Sequence, residues 1–276
     1  PSADFEAFRD QILDFTAANY APHTHELYTL ALRRLEERFP ALQPDRITAR
    51  HADEFKLWRL KSVTPVTVNV ELRTLRAAFN HAVRWGLVGK NPFTAVKLVH
   101  IPERVPPYFS REQFRKLVSG IDETWLQDIV TVAVSTGLRQ GELIHLRWHQ
   151  VSLENRSVLV EPYGEFQTKT GRSRVVPLNG TAGEILGRRQ SEAGEGDLVF
   201  TFNGRKIRRD TLTHRFKDHV RGTGLPEHLH FHSLRHTFAS WLVQDGVSLY
   251  QVGRLLGHTT ARTTEIYAHL QPETMH

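Results

Sequence analysis

Apolar residues recur three or four positions apart through the first part of the chain, and this spacing predicts helices. Two helices are expected at 4–20 and 24–39, and a shorter one at 49–60. The fourth is the best defined, because Thr64 is suited to cap it and Pro65 to occupy its first turn. Its apolar face is formed by Leu72, Leu75, Phe79 and Val83.

This pattern predicts an all-helical domain over residues 1–95, a linker at 96–109 and a second domain at 110–276. The linker region is rich in proline and shows no periodicity. Ser110 and Gln113 then have the spacing of a capping box, which indicates the start of a new helix.

Helices and strands are both predicted in the second domain. Helices are expected at about 110–119, 124–136, 181–190 and 208–222, with another opened by Arg139 and ending near Trp148. Between 151 and 178, the β-branched runs SVLVEPY, EFQTKT and RSRVVPL predict a three-stranded antiparallel sheet. The expected fold class is mainly α with a small antiparallel β-sheet, divided into a helical domain and a mixed α/β domain.

Residues 228–270 combine three predicted helices with an unusual set of polar side chains. His232 and Arg235 are three positions apart, so they share one face at the start of the first helix. Gly246 is expected to end that helix and Ser248 to cap the next.

The remaining polar residues of this stretch also fall at helix ends. Gly257 ends the second helix, His258 lies just past it, and the third helix brings up Tyr267. A phenol, two imidazoles and a guanidinium can therefore converge on one anion, and no cysteine or carboxylate joins them. The pattern indicates phosphate chemistry with Tyr267 as the nucleophile.

Three motifs resemble the tyrosine recombinase (phage integrase) family, in particular its Xer-like and integrase-type site-specific recombinases. They are HSLRH at 232–236, LLGH at 255–258 with a tyrosine nine residues later, and STGLRQGEL at 135–143. The resemblance implies a SAM-like core-binding domain and a catalytic domain that clamp duplex DNA. It also implies the catalytic residues Arg139, Lys169, His232, Arg235, His258 and Tyr267, the last being the nucleophile.

Lys169 lies in the predicted turn between the second and third strands, where the family places its catalytic lysine. A mobile hairpin could bring its ammonium group to a leaving-group oxygen that needs a proton. Arg172 and Arg174 are the competing candidates in the same segment.

Residues beside these motifs are expected to have supporting roles. Glu142 lies one turn after Arg139 and is expected to orient its guanidinium, whereas His236 is expected to pack or cap. A zinc site is the alternative for the dense run of histidines, but no acidic or thiolate ligand accompanies them, and we predict no metal. The run consists of His228, His230, His232 and His236.

The charges of these residues imply a transesterification that needs neither metal nor ATP. Attack on a phosphodiester adds negative charge to the equatorial oxygens, which two guanidiniums and the His258 imidazole could stabilise. His232 is the expected helper for Tyr267, and Lys169 the expected proton donor to the departing 5′ oxygen. The product would be a 3′-phosphotyrosyl bond that keeps the energy of the phosphodiester, so no cofactor is expected.

A formal net charge of +6 and a pI near 9.7 make a polyanionic partner the natural expectation. The resemblance implies a homo-tetramer on two double-stranded recombination sites, and it leaves accessory proteins open. The candidate DNA contacts are Arg33, Arg34, Thr67, Asn69, Arg73, Arg76, Arg172, Arg174, Arg205, Lys206, Arg208, Arg209 and Arg215. The rival functions are a type IB topoisomerase and a non-catalytic DNA-binding regulator of the same fold.

The chain contains no cysteine, which excludes disulfides and thiolate metal sites. It has no apolar run of about 18 residues, the length needed to span a bilayer, and we expect a cytoplasmic protein of a bacterium or mobile element. The sequence starts at the helical domain and ends nine residues after Tyr267. We therefore expect no arm-type domain and little C-terminal chain to exchange between protomers.

Overall fold

The computed structural model describes residues 4–102, 105–164, 166, 171–194 and 196–272. The chain divides into two units, Pro1–Glu103 and Arg104–His276. Separate apolar clusters form the core of each unit, and the mainly helical fold with a small antiparallel sheet confirms the predicted fold class.

Four α-helices lie in the described part of the first unit, where the apolar spacing predicts them. They are α1 (Phe5–Asn19), α2 (Pro22–Arg38), α3 (Ala49–Leu60) and α4 (Pro65–Arg84). Thr48 and Thr64 cap α3 and α4, each accepting a hydrogen bond from the backbone N–H three residues on. The apolar faces meet around Phe8 and Phe79, whose ring centroids are 5.2 Å apart.

The segment after α4 folds back onto that helix. The Asn69 amide donates to the carbonyl of Val99 and accepts from its N–H, both at 2.8 Å. Arg76 donates to the carbonyls of Phe93 and Val96 at 3.0 and 2.8 Å. Asn69 and Arg76, two of the candidate DNA contacts, therefore satisfy backbone atoms within the first unit.

Eight helices lie in the described part of the second unit. They are α5 (Arg111–Ser119), α6 (Thr124–Thr136), α7 (Gln140–Ile144), α8 (Gly180–Ser191), α9 (Arg209–Gly222), α10 (Ser233–Gln244), α11 (Leu249–Leu256) and α12 (Arg262–Glu265). Helix α6 packs against both α8 and α10, and most of its side chains are buried. Ser110 and Ser248 form the capping boxes of α5 and α11.

A three-stranded antiparallel sheet is present, but its strands differ from those predicted. They are β1 (Val151–Ser152), β2 (Ser157–Val160) and β3 (Arg174–Pro177), paired in that order. Val158 lies opposite Val176, and both are buried against the core. The run EFQTKT, predicted as the middle strand, lies outside the described residues except for Phe166.

Two predicted helices are shorter in the structure. The helix expected from Arg139 to Trp148 ends at Ile144, because residues 146–148 instead pair with 197–199 in an isolated antiparallel bridge. The helix expected to carry Tyr267 ends at Glu265, and a 3₁₀ turn follows at Ala268–Leu270.

A two-stranded hairpin was missed altogether. It consists of β4 (Thr201–Phe202) and β5 (Arg205–Lys206), joined by Asn203 and Gly204. Both turn residues have positive φ, 51° and 69°. Asn-Gly is a strong hairpin signal because both residues tolerate this backbone conformation, so the sequence did contain the information.

Within the described residues, no helix is both long enough and apolar enough to pass through a bilayer.

Candidate active site

Arg235 is held at the junction of two helix ends. Arg235 is 4% exposed, and its guanidinium donates to the carbonyl of Gly137 at 2.7 Å and to that of Leu256 at 2.5 Å. Gly137 caps the C-terminus of α6, and Leu256 is the last residue of α11. The carbonyl end of a helix is its negative pole, so both contacts favour a cation at this point.

Gly137 makes this arrangement possible. It has a φ of +65°, and a Cβ atom there would lie 2.4 Å from Cδ1 of Phe238. Only glycine combines that backbone conformation with such close packing. The carbonyl that binds Arg235 is therefore positioned by a residue without a side chain.

Glu142 joins two further arginines. Its carboxylate accepts from the backbone N–H and the guanidinium of Arg139 at 2.7 and 2.9 Å. It also accepts from both terminal nitrogens of Arg174 at 3.0 and 2.7 Å. Burial raises the pKa of Glu142, but the hydrogen bonds and charges of Arg174 and Arg139 outweigh burial and lower it to about 2.

This pairing changes the expected role of Arg174. Its side chain is 11% exposed, and its Nε also donates to the carbonyl of Leu255 at 3.0 Å. The sequence predicted a candidate DNA contact, and the structure shows the Arg174 guanidinium hydrogen-bonded within the site. Its position instead ties β3 to both α7 and α11.

His258 follows Gly257, which ends α11 with a φ of +68° as predicted. Its Nδ1 hydrogen-bonds to Oγ1 of Thr264 at 2.8 Å, and Thr264 is itself buried. Burial, followed by the charges of Arg235 and Arg139, lowers the pKa of His258 to about 4. The ring is therefore neutral near pH 7.

Tyr267 is 2% exposed, and its hydroxyl lies 2.6 Å from Nδ1 of His236. Burial raises the pKa of Tyr267 to about 12, and the charge of Arg235 offsets only part of that rise. This contact differs from the sequence-based prediction. His232 was expected to assist Tyr267, and His236 was expected to pack or cap. The structure pairs His236 with the tyrosine, and the His232 ring packs edge-on against His236 with centroids 4.9 Å apart.

These side chains line one cleft of about 340 Å³. Its walls contain five of the six predicted catalytic residues, and the sixth, Lys169, lies outside the described residues. His236 and Gln140, to which no site role was given, also line it, as does Arg209, expected only to contact DNA. The predicted residues on the cleft are Arg139, His232, Arg235, His258 and Tyr267.

The other candidate DNA contacts differ in exposure. Arg34 is partly exposed and pairs with Glu37 at 2.6 Å, and Arg215 is exposed and pairs with Glu123 at 3.0 Å. The remaining eight candidates are also exposed, as a DNA contact requires. They are Arg33, Thr67, Arg73, Arg172, Arg205, Lys206, Arg208 and Arg209.

The histidine run considered for zinc does not bring three ligand atoms together in the described part of the chain. Within the described residues, such a group is formed by Asp122, Glu123 and His219, none of which belongs to the run. Glu123 of this group is already paired with a guanidinium.

Comparison with known proteins agrees with this geometry. The profile of the phage integrase family matches residues 107–274, and that of the phage integrase SAM-like domain matches residues 5–98. Over 269 residues the chain is 28% identical to tyrosine recombinase XerC of Pelobacter propionicus, covering 92% of this chain and 87% of that protein. Over 217 residues it is 31% identical to tyrosine recombinase XerD of Pseudomonas aeruginosa, covering 72% and 69%.

Solved structures share the fold at lower identity. The Tn1549 transposon integrase in complex with a circular intermediate DNA has a TM-score of 0.82 and 21% identity, covering 94% of each chain. A lambda integrase from a tetramer bound to a Holliday junction has a TM-score of 0.81 and 19% identity, covering 99% of this chain and 78% of that one. The chain belongs to the phage integrase family of tyrosine recombinases.

Proposed function

We propose that this site-specific recombinase breaks and rejoins DNA through Tyr267, which forms a 3′-phosphotyrosyl intermediate. The observation that carries the proposal is the shared cleft: Tyr267 lines it together with Arg139, Arg235 and His258. A phosphate bound there would lie between a nucleophile and two guanidiniums.

The charges around the cleft suit the transition state of phosphoryl transfer. Attack on the phosphodiester concentrates negative charge on the two non-bridging oxygens, and fixed donors stabilise that charge without reorganising. Arg235 is fixed by two carbonyls and Arg139 by Glu142, so both guanidiniums are preorganised. In the tautomer that accepts from Thr264 at Nδ1, the Nε2–H of the His258 ring is a further donor.

Strand cleavage also requires a proton for the departing 5′ oxygen, and we assign that role to Lys169. The assignment comes from its place in the sequence between β2 and β3. Because the phosphotyrosyl bond conserves the energy of the phosphodiester, the same groups acting in reverse rejoin the strand without ATP.

The proposed substrate is double-stranded DNA, bound by residues 1–95 as the core-binding domain and residues 110–276 as the catalytic domain. The relatives support this: the Tn1549 integrase is seen with a circular intermediate DNA and the lambda integrase as a tetramer on a Holliday junction. We propose a homo-tetramer acting on two recombination sites. Since bacterial DNA lies in the cytoplasm, we place the reaction there.

Covalent trapping tests the proposal. The protein is mixed, in EDTA and without ATP, with labelled duplexes from its genomic neighbourhood, nicked so that religation fails, and run on a denaturing gel. We expect an adduct with the unaltered protein and none with Tyr267→Phe. Tyr250→Phe is the matched control, because Tyr250 is 73% exposed and does not line the cleft; the adduct formed by this variant should be unchanged.

Two results would overturn the proposal. An undiminished adduct with Tyr267→Phe would remove Tyr267 as the nucleophile. Tight DNA binding with no adduct on any tested site would favour the non-catalytic regulator.

A further inference from the structure

We propose that His236 is the proton acceptor of the nucleophile: it holds the Tyr267 hydroxyl and takes its proton as the tyrosine attacks. The inference rests on the proposed function and names a catalytic residue for it. It starts from one contact, Nδ1 of His236 to Oη of Tyr267 at 2.6 Å. That distance is short for a hydrogen bond between a ring nitrogen and a hydroxyl oxygen.

Helix α10 fixes the imidazole in this position. His236 lies one turn beyond His232 and directly follows Arg235, whose guanidinium is anchored at two helix ends. The His232 ring packs edge-on against one side of it. His236 also lines the cleft, so it lies beside both the nucleophile and the groups assigned to the phosphate.

The protonation states give the contact its direction. Burial raises the pKa of Tyr267 to about 12, so the hydroxyl keeps its hydrogen near neutral pH. Burial and the charges of His232, His230 and Arg235 lower the pKa of His236 to about 3, so its ring is neutral. A neutral ring has one nitrogen lone pair, and the tyrosine hydroxyl can donate to it at Nδ1.

DNA binding would change this balance in the direction that the reaction needs. Part of the depression of the His236 pKa comes from neighbouring positive groups. A phosphodiester in the cleft brings a negative charge that offsets them, which raises the basicity of His236. The acceptor therefore becomes stronger when the substrate is in place.

The step balances as a transesterification. The Tyr267 oxygen forms a bond to phosphorus while its proton passes to Nδ1 of His236, and the bond from phosphorus to the 5′ oxygen breaks. The 5′ oxygen takes a proton from the general acid, for which Lys169 is proposed. In rejoining, the 5′ hydroxyl attacks phosphorus and returns its proton to the deprotonated general acid, while the bond from phosphorus to the Tyr267 oxygen breaks and His236 gives its proton to that oxygen.

The test separates holding the hydroxyl from taking its proton. In His236→Asn the amide oxygen lies near the position of Nδ1, so it can still accept a hydrogen bond but cannot take a proton. The matched control is His214→Asn on α9, which changes an exposed histidine in the same way. Single-turnover adduct formation at saturating DNA is measured between about pH 7 and about pH 9.

We expect His236→Asn to bind DNA normally and to lose about 10²–10⁴-fold in rate near pH 7. Its rate should rise about tenfold per pH unit, because the phenol must now lose its proton to solvent, whereas the unaltered protein and the control change little. Replacing Tyr267 in this variant by a fluorotyrosine of lower pKa should restore part of the rate.

Three outcomes would overturn the inference. A His236→Asn rate within about twofold of normal, with a flat pH profile, would send the proton elsewhere while leaving the proposed function intact. A folded variant that forms no adduct even near pH 9 would make His236 a structural residue. An adduct that persists in Tyr267→Phe would remove both proposals together.

Discussion

At the scale of single residues, Glu142 is the clearest case of one side chain on which others depend. Its side chain is 3% exposed, and its carboxylate forms ion pairs with both Arg139 and Arg174. Its folded-state pKa of about 2 lies below its ordinary value of 4.5. A depressed pKa means that the ionised carboxylate stabilises the fold above about pH 4.5, and that this contribution disappears as the pH falls towards about 2.

We therefore predict that Glu142→Gln destabilises the second unit near pH 6. The part of this loss in unfolding free energy that is linked to ionisation of the carboxylate should be about 3 kcal/mol. In urea unfolding from about pH 6 down to about pH 3, the stability difference between the two proteins should narrow steadily. A difference that stays constant with pH would show that the charge of Glu142 is not its source.

Glu71→Gln is the matched control for that substitution. Glu71 accepts two hydrogen bonds of 2.7 Å from Arg59, a buried pair in the first unit. Loss of the Glu71 charge should also lower the stability of the first unit, since breaking a buried ion pair leaves the Arg59 charge without a partner. Adduct formation at saturating DNA should then fall for Glu142→Gln and not for Glu71→Gln.

The site residues show what sequence spacing can and cannot predict. Glu142 could be assigned to Arg139 because the two are three residues apart on one helical turn. Arg174 could not be assigned to Glu142 in this way, since the two residues are 32 positions apart in the sequence. His232 and His236 share one helix, and only the packing of α10 against the segment carrying Tyr267 decides which ring meets the hydroxyl.

At the scale of elements, the glycines that follow helix ends differ in how closely other side chains pack against them. Gly137 and Gly246 both have positive φ, +65° and +86°. A Cβ at Gly246 meets nothing within 4 Å, whereas one at Gly137 would lie 2.4 Å from Phe238 and 3.0 Å from Leu256. The two positions therefore separate backbone strain from steric overlap.

We predict that Gly246→Ala costs about 1–2 kcal/mol, the strain of a left-handed alanine. Gly137→Ala should cost roughly 2–5 kcal/mol, because overlap with Phe238 adds to the same strain. It should also displace the carbonyl that holds Arg235, and so lower the adduct rate up to about a hundredfold where the variant is folded. Urea unfolding and single-turnover trapping measure these effects, and equal losses in the two variants would contradict the packing argument.

Long elements were predicted more accurately than short ones. Helices such as α1 and α4 were found because an apolar face repeated over many residues is decisive. Helix α7 stops early because the following residues pair with a distant segment, which local sequence does not reveal. The four residues of α12 are likewise too few to establish a period.

At the scale of the whole molecule, charge is the property that fits a DNA partner. A net charge of +6 attracts a polyanion, but only exposed cations can displace counterions from phosphates. Helix α4 offers a matched pair for testing this. Arg73 is exposed, whereas Arg76, one turn later, binds two backbone carbonyls of its own unit.

We predict that Arg73→Ala reduces the slope of log affinity against log salt by about 1, equally for recombination-site DNA and unrelated DNA, because a phosphate contact is lost. Arg76→Ala should leave the slope unchanged and instead lower the stability of the first unit, since residues 93–99 lose their anchor. Fluorescence titrations at several salt concentrations, paired with urea unfolding, measure both effects. If the two variants lost the same slope, Arg76 would also contact phosphate, and the distinction between a half-buried structural arginine and an exposed DNA-binding one would fail on this helix.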